Sequence, residues 1–203
     1  MNDTHLASES ETQDLLPAAP DPGEKQSVRT TFKMSPEAYW AKTWLANHWG
    51  GTEKDAIDQV TSFLGKVSPQ TLESIEDQLG VHHRPDRMRK TQVLSKGALR
   101  FLESKAAEMD ITRDDLLGRG LVVVEGMIKR ALEEQFQNHS QALDLIRTHS
   151  EQAKKLERQL SELLGKDDAV YSRFSSITMS LINLIGAVET ELEDGTPVDP
   201  NGY

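Results

Sequence analysis

From Val28 to Ser35 the side chains alternate, with Val28, Thr30, Phe32 and Met34 on one side and Arg29, Thr31 and Lys33 on the other. A period of two over this length predicts a strand with one covered face. Ser35-Pro36 then marks a helix start, because a Ser hydroxyl accepts an orphan backbone N–H and Pro suits the first helical turn. Tyr39, Leu45, Ala46 and Trp49 make an inward stripe at helical spacing, Gly50-Gly51 breaks it, and Thr52 opens another helix.

Sixty residues on, the pattern returns. Met88, Lys90, Gln92 and Leu94 oppose Arg89, Thr91 and Val93, Ser95 caps a helix striped by Leu99, Leu102, Ala106 and Met109, and Thr112 leads the next. Lys90 and Gln92 weaken the apolar side of this strand. Arg29/Arg89, Thr31/Thr91, Ser35/Ser95, Ala38/Ala98, Ala46/Ala106, Thr52/Thr112 and Asp55/Asp115 are identical across the offset. A lone strand of this length leaves its backbone groups and apolar face unsatisfied, so each repeat must pair its strand. Two such units form an antiparallel ribbon on four helices, within one chain or between chains.

Residues 67–85 read as a helical connector, from Ser68-Pro69 through Leu72, Ile75 and Leu79 to Gly80, with His82-His83 in the exit loop. Beyond the second repeat, Leu132, Phe136, His139, Leu143 and Ile146 are spaced as a coiled-coil seam. The phase slips near His149 and resumes through Ala153, Leu156, Leu160 and Leu163. After Gly165-Lys166-Asp167-Asp168, Val170, Phe174, Ile177, Leu181, Leu184 and Val188 form a second stripe, so residues 128–192 are expected to fold as a helical hairpin. The fold class is therefore mainly α with short β-strands: two strand–helix–helix units, at 25–66 and 86–127, followed by a C-terminal coiled coil or hairpin. Residues 1–24, with three prolines and little apolar surface, read as a disordered acidic tail, and 193–203 as a flexible tail.

Charge sharpens this division. The chain carries a net charge of -10, but residues 1–24 contribute -6 and 131–203 contribute -7, while 25–130 hold 17 basic and 14 acidic side chains. The only net-basic stretch coincides with the repeats, and a nucleic-acid surface is a local property that whole-chain charge conceals. Without cysteine there is no disulfide, thiolate zinc site or Cys nucleophile. The absence of a Gly-rich phosphate loop, a nucleophile elbow and paired acids in an apolar setting points away from an enzyme, and no metal or cofactor is expected. No secretory signal or apolar membrane span is read, which leads to the expectation of a cytoplasmic protein without a membrane partner.

Each repeat resembles a ribbon-helix-helix DNA-binding unit of the Arc/MetJ type, over about residues 26–66 and 86–127. The resemblance implies that the outer face of the paired strands enters the major groove of double-stranded DNA and that the start of each second helix grips phosphate. Carried over by position, the base-contacting set is Arg29, Thr31, Lys33, Arg89, Thr91 and Val93. The phosphate-binding set is Thr52, Glu53, Lys54, Thr112 and Arg113. Arg and Lys can bond guanine, Thr can bond a base or meet a thymine methyl, and Val93 can do neither by hydrogen bond, so the two halves should read different sequences. Asp55, Asp114 and Asp115 fit better as stabilisers of the helix N-termini than as phosphate neighbours. Tandem copies on one chain resemble the accessory DNA-binding proteins of conjugative plasmids, and a bacterial or phage-encoded, nucleoid-associated protein is implied.

Homodimers or higher oligomers are expected through Leu132, Phe136, Leu143, Ile146, Leu156, Leu160, Phe174, Ile177, Leu181 and Leu184, and the acidic C-terminal region could hold a protein partner. Transcription regulation is the first functional reading and a relaxosome or partition accessory role the second. A coiled-coil scaffold or antitoxin-like protein is the reading from another class. Trp40 and Trp44, one turn apart on the less buried side of the first helix, are expected as additional core covered by the connector or the C-terminal hairpin, with a partner-binding patch as the alternative. His139 and His149 are expected as tolerated polar seam residues.

Overall fold

A computed structural model of the chain describes residues 26–81 and 87–195. It is mainly helical with one two-stranded antiparallel sheet. The elements run β1 (Ser27–Met34), α1 (Pro36–His48), α2 (Glu53–Lys66), α3 (Pro69–Leu79), β2 (Met88–Ser95), α4 (Lys96–Glu108), α5 (Arg113–Leu164) and α6 (Ala169–Asp194). Two compact units divide between Lys129 and Arg130. The acidic N-terminal segment, His82-His83 and most of the last tail lie outside the described residues.

The local signals act as their chemistry requires. Ser35 and Ser95 each accept the backbone N–H three residues on, at 3.3 Å from Ala38 and 3.0 Å from Ala98. Ser68 does the same for Thr71, and Gly80 ends α3 in the left-handed conformation that glycine tolerates. Strand parity holds in both copies. Phe32, Met34, Leu94 and Gln92 turn inward to burial, and Arg29, Lys33, Arg89, Thr91 and Val93 turn out.

β1 and β2 pair within the chain. Thr31 lies opposite Thr91, its own counterpart sixty residues away, so an approximate two-fold axis passes through this pair. Arg29 then faces Val93, and Lys33 faces Arg89. The same axis recurs in the core, where Val60 on α2 meets its counterpart Gly120 on α5. A Cβ added at Gly120 would stand 3.0 Å from Val60 Cγ1 and 2.8 Å from Leu64 Cδ1. The core beneath the ribbon joins residues of both repeats, including Phe32, Leu45, Ile57, Leu94, Leu102 and Leu117. Arg119 on α5 holds Glu76 on α3 through two guanidinium nitrogens, tying the connector to the second repeat.

The second unit is a helical hairpin. Gly165 turns with a positive φ, and Asp168 caps α6 by accepting from Val170 N at 2.7 Å. Gln135 and His139 reach Glu191, and Arg147 reaches Glu189, from α5 to α6. α5 passes unbroken through His149, which is exposed, and Ser150 takes the buried place there. The predicted slip in phase is thus met by a small residue in the seam, with no interruption of the helix. Buried with it are Leu143, Thr178 and Val188. Of the other residues expected to join chains, Ile146, Leu160, Phe174, Leu181 and Leu184 are half-buried, and Leu132, Phe136, Leu156 and Ile177 are exposed. Among the described residues, no helix is long and apolar enough to cross a membrane.

Candidate functional site

The outer face of the ribbon gathers Arg29, Thr31, Lys33, Arg89, Thr91 and Val93 on two strands bonded in one register. Thr31 Oγ1 and Thr91 Oγ1 lie 3.5 Å apart at its centre. Lys33 and Arg89 are directly opposed at one end, an arrangement that costs stability in a ladder unless an anion neutralises it. At the other end Arg29 stands beside Val93, whose side chain is exposed. Among the described residues, none of these three cations pairs with a carboxylate, whereas Lys42, Lys54, Arg87, Arg113 and Arg119 all do. The ribbon therefore presents three cationic side chains and two hydroxyls along one surface, with one carboxylate nearby, that of Asp114, which accepts the Lys33 backbone N–H at 2.9 Å.

The residues expected at phosphate divide differently. Thr52 and Asp55 form a capping box: Thr52 Oγ1 accepts from Asp55 N at 3.2 Å, and the Asp55 carboxylate accepts from Thr52 N at 2.9 Å and from its hydroxyl at 2.6 Å. Those hydrogen bonds from Thr52 hold the Asp55 carboxyl below the usual range. In the second repeat Thr112 Oγ1 donates to Asp115 at 2.6 Å and accepts from its N–H at 3.1 Å. Asp55 thus satisfies a helix-start N–H, whereas Asp115 accepts from the Thr112 hydroxyl and pairs with Arg87, and Asp114 accepts from the Lys33 backbone N–H and from Arg113. Lys54 pairs with Asp58 at 2.8 Å. Glu53 turns to Lys42 and Thr43, and Arg113 reaches Glu103, Asp114, the Thr30 hydroxyl and the Thr31 carbonyl. Arg113 thereby braces β1, and Glu53 lies in a network of the fold.

That network extends beneath the ribbon. Lys42, only 3% exposed, donates to the Gln92 side-chain oxygen at 2.6 Å and to Glu53. Burial pushes the Glu53 carboxyl up, but hydrogen bonds from Lys42 and Thr43 outweigh it and the net direction is down. Asp58, also buried, accepts the Ser95 backbone N–H at 3.0 Å. Tyr39 donates its hydroxyl to the Phe32 carbonyl at 2.9 Å, and Lys90 lies 5.0 Å from the centre of its ring. The two polar residues that weaken the inward face of β2 are accordingly both supplied with partners from α1. The only sequence signal for Lys42 is its place three residues after Tyr39 and three before Leu45 in an otherwise apolar stripe.

Trp40 departs from expectation. It is 73% exposed, so neither the connector nor any other element of its own unit covers it, and it is not part of that unit's core. The reason is angular: Tyr39, Lys42 and Ala46 already fill the buried side of α1, which leaves Trp40 pointing away. Trp44 is half-buried, stacked on His48 at 4.8 Å, with Lys129 Nζ 5.2 Å from its ring. No family model, curated protein or solved structure matches the chain.

Proposed function

We propose that the chain is a sequence-specific double-stranded DNA-binding protein of tandem ribbon-helix-helix architecture that reads the major groove with its intrachain β-ribbon. Transcription regulation is the role put forward; a relaxosome or partition accessory would use the same surface. The observation that carries the reading is the outer face of the ribbon, where Arg29, Lys33 and Arg89 flank a central Thr pair and, among the described residues, their charged groups form no ion pair. A two-stranded ribbon fits the major groove, and one well-placed Arg–guanine pair contributes about 1–3 kcal/mol of discrimination. The Lys33–Arg89 juxtaposition adds a reason for an anion to be preferred there over solvent.

The hairpin joins chains in this proposal. Two helices cannot enclose a core, and α6 from Ala169 to Val188 carries a single charge, Arg173, while exposing Val170, Ile177, Met179 and Ile182. So neutral and apolar a surface is met best by a second copy of itself. A dimer carries two ribbons, and its target has two related elements separated by one helical turn, about 10 base pairs, or a multiple of it.

Selection from a random duplex pool at near-physiological salt, with wild-type protein and an R29A/T31A/R89A/T91A variant in parallel, tests the reading. The expected result is a motif recovered by the wild type and lost by the variant. All four positions lie on the outer face, so the variant is expected to melt as the wild type does. If the wild type enriches nothing, the DNA reading fails.

A further inference from the structure

We propose that the two repeats carry a pairing code, polar in one half and apolar in the other, which makes unlike repeats combine and excludes the pairing of a repeat with its like in a second chain. The inference rests on the fold alone and is independent of DNA binding.

The code is seen by comparing positions sixty residues apart. β2 places Gln92 against Lys42 on α1, and Lys42 in turn holds Glu53 at the start of α2. The counterparts are Phe32, Leu102 and Arg113. Phe32 and Leu102 are fully buried, and the Arg113 guanidinium lies 5.0 Å from the centre of the Phe32 ring. Amide, ammonium and carboxylate in one half therefore correspond to ring, isobutyl and guanidinium in the other. Each set is complete: the buried ammonium has both an amide oxygen and a carboxylate, and the ring has an apolar and cationic surround.

Pairing of like repeats would break both sets. Two first repeats would each bring Phe32 onto Lys42 and bury an ammonium without its amide partner. Two second repeats would each bring Gln92 onto Leu102 and replace the buried ammonium its side-chain oxygen accepts from by an isobutyl group. Unpaired polar groups in a core are strongly disfavoured, whereas the unlike pair has none of these mismatches. Shape at the two-fold axis points the same way. Val60 packs on Gly120, its own counterpart, and a Cβ on Gly120 would stand 2.8 Å from Leu64 Cδ1. Like pairing would oppose Val60 to a second Val60 and Gly120 to a second Gly120, one overfilled and the other hollow. A buried polar group as a specifier of partner choice has this physical basis in other assemblies.

The central Thr pair gives a readout, since the chain has no cysteine of its own. Thr31 lies opposite Thr91. In a like pair of first repeats it would lie opposite a second Thr31, so a lone Thr31→Cys links two chains only if like repeats pair. The full chain is oxidised at about 100 µM, where a tether of millimolar effective concentration retains only about a tenfold advantage. With native residues elsewhere, T31C/T91C is expected to close within the chain, and T31C alone to remain unlinked. Exchanging the strand residues, Phe32→Gln with Gln92→Phe, in a Val60→Ala/Gly120→Ala background that levels the shape difference, reverses the code without altering which residue types line the ribbon. In that variant T31C is expected to link most chains in pairs. Adding Lys42→Leu, Glu53→Arg, Leu102→Lys and Arg113→Glu exchanges the helix residues too, and is expected to return T31C to the unlinked state. Linking of T31C with native residues elsewhere would overturn the proposal, as would a folded strand-exchange variant that stays unlinked. Should the strand-exchange variant not fold, recovery of folding by the helix exchange supports the code, and failure to recover overturns it.

Discussion

Lys42 is nearly inaccessible to solvent, and its charge is met by the Glu53 carboxylate and the Gln92 amide. Because those hydrogen bonds lower the folded-state value of Glu53, the stabilisation it provides is present above the unfolded value, about pH 4.3, and is lost as pH falls through the folded one. Denaturant midpoints of wild type and Glu53→Gln, compared across pH, should therefore differ by a constant amount above about pH 5 and draw together as pH falls below the unfolded value. A difference that stayed constant to pH 3 would show that Glu53 is not coupled to Lys42. At Thr52 the capping box carries the same kind of argument without burial, and Thr52→Ala should cost about 0.5–2 kcal/mol by chemical denaturation.

At the level of elements, the crossing of α2 and α5 depends on one missing side chain. Val60 and Leu64 are both buried, so neither has room to yield to a methyl group at Gly120. Gly120→Ala is expected to destabilise by about 1–3 kcal/mol despite its better helix propensity, and Val60→Ala should recover part of that loss in a double-mutant cycle. Additivity of the two changes would place the crossing elsewhere. The elements themselves were legible because their signals are local: alternation in β1 and β2, Ser at the starts of α1 and α4, Gly80 after α3. The pairs that join elements were not. Gln92 shows its inward parity within its own strand, but the ammonium that makes it tolerable lies fifty residues away. Ser150 was similarly hidden, since a coiled-coil seam is read from its large residues and this one narrows to a hydroxyl. For the candidate site the outer set followed from parity alone, while Glu53 and Arg113, at the starts of α2 and α5, are held by partners no spacing reveals.

For the molecule as a whole, the proposed self-association and the proposed ribbon readout rest on different residues. Leu156 and Ile177 are exposed on the hairpin, and Leu156→Glu/Ile177→Glu is expected to abolish concentration-dependent association by sedimentation while leaving the thermal transition of the ribbon unit in place. A wild-type chain that sediments as a monomer at tens of micromolar would remove the hairpin's proposed role.

The approximate two-fold axis through Thr31 and Thr91 has a further consequence for how such a domain can change. In a dimer of identical chains each substitution is made twice, so any gain on one side is tied to its effect on the other. Here Lys42 and Leu102, or Arg29 and Arg89, are encoded separately. Either half of the ribbon can be altered alone, and one position can be tuned while its mirror image is held constant.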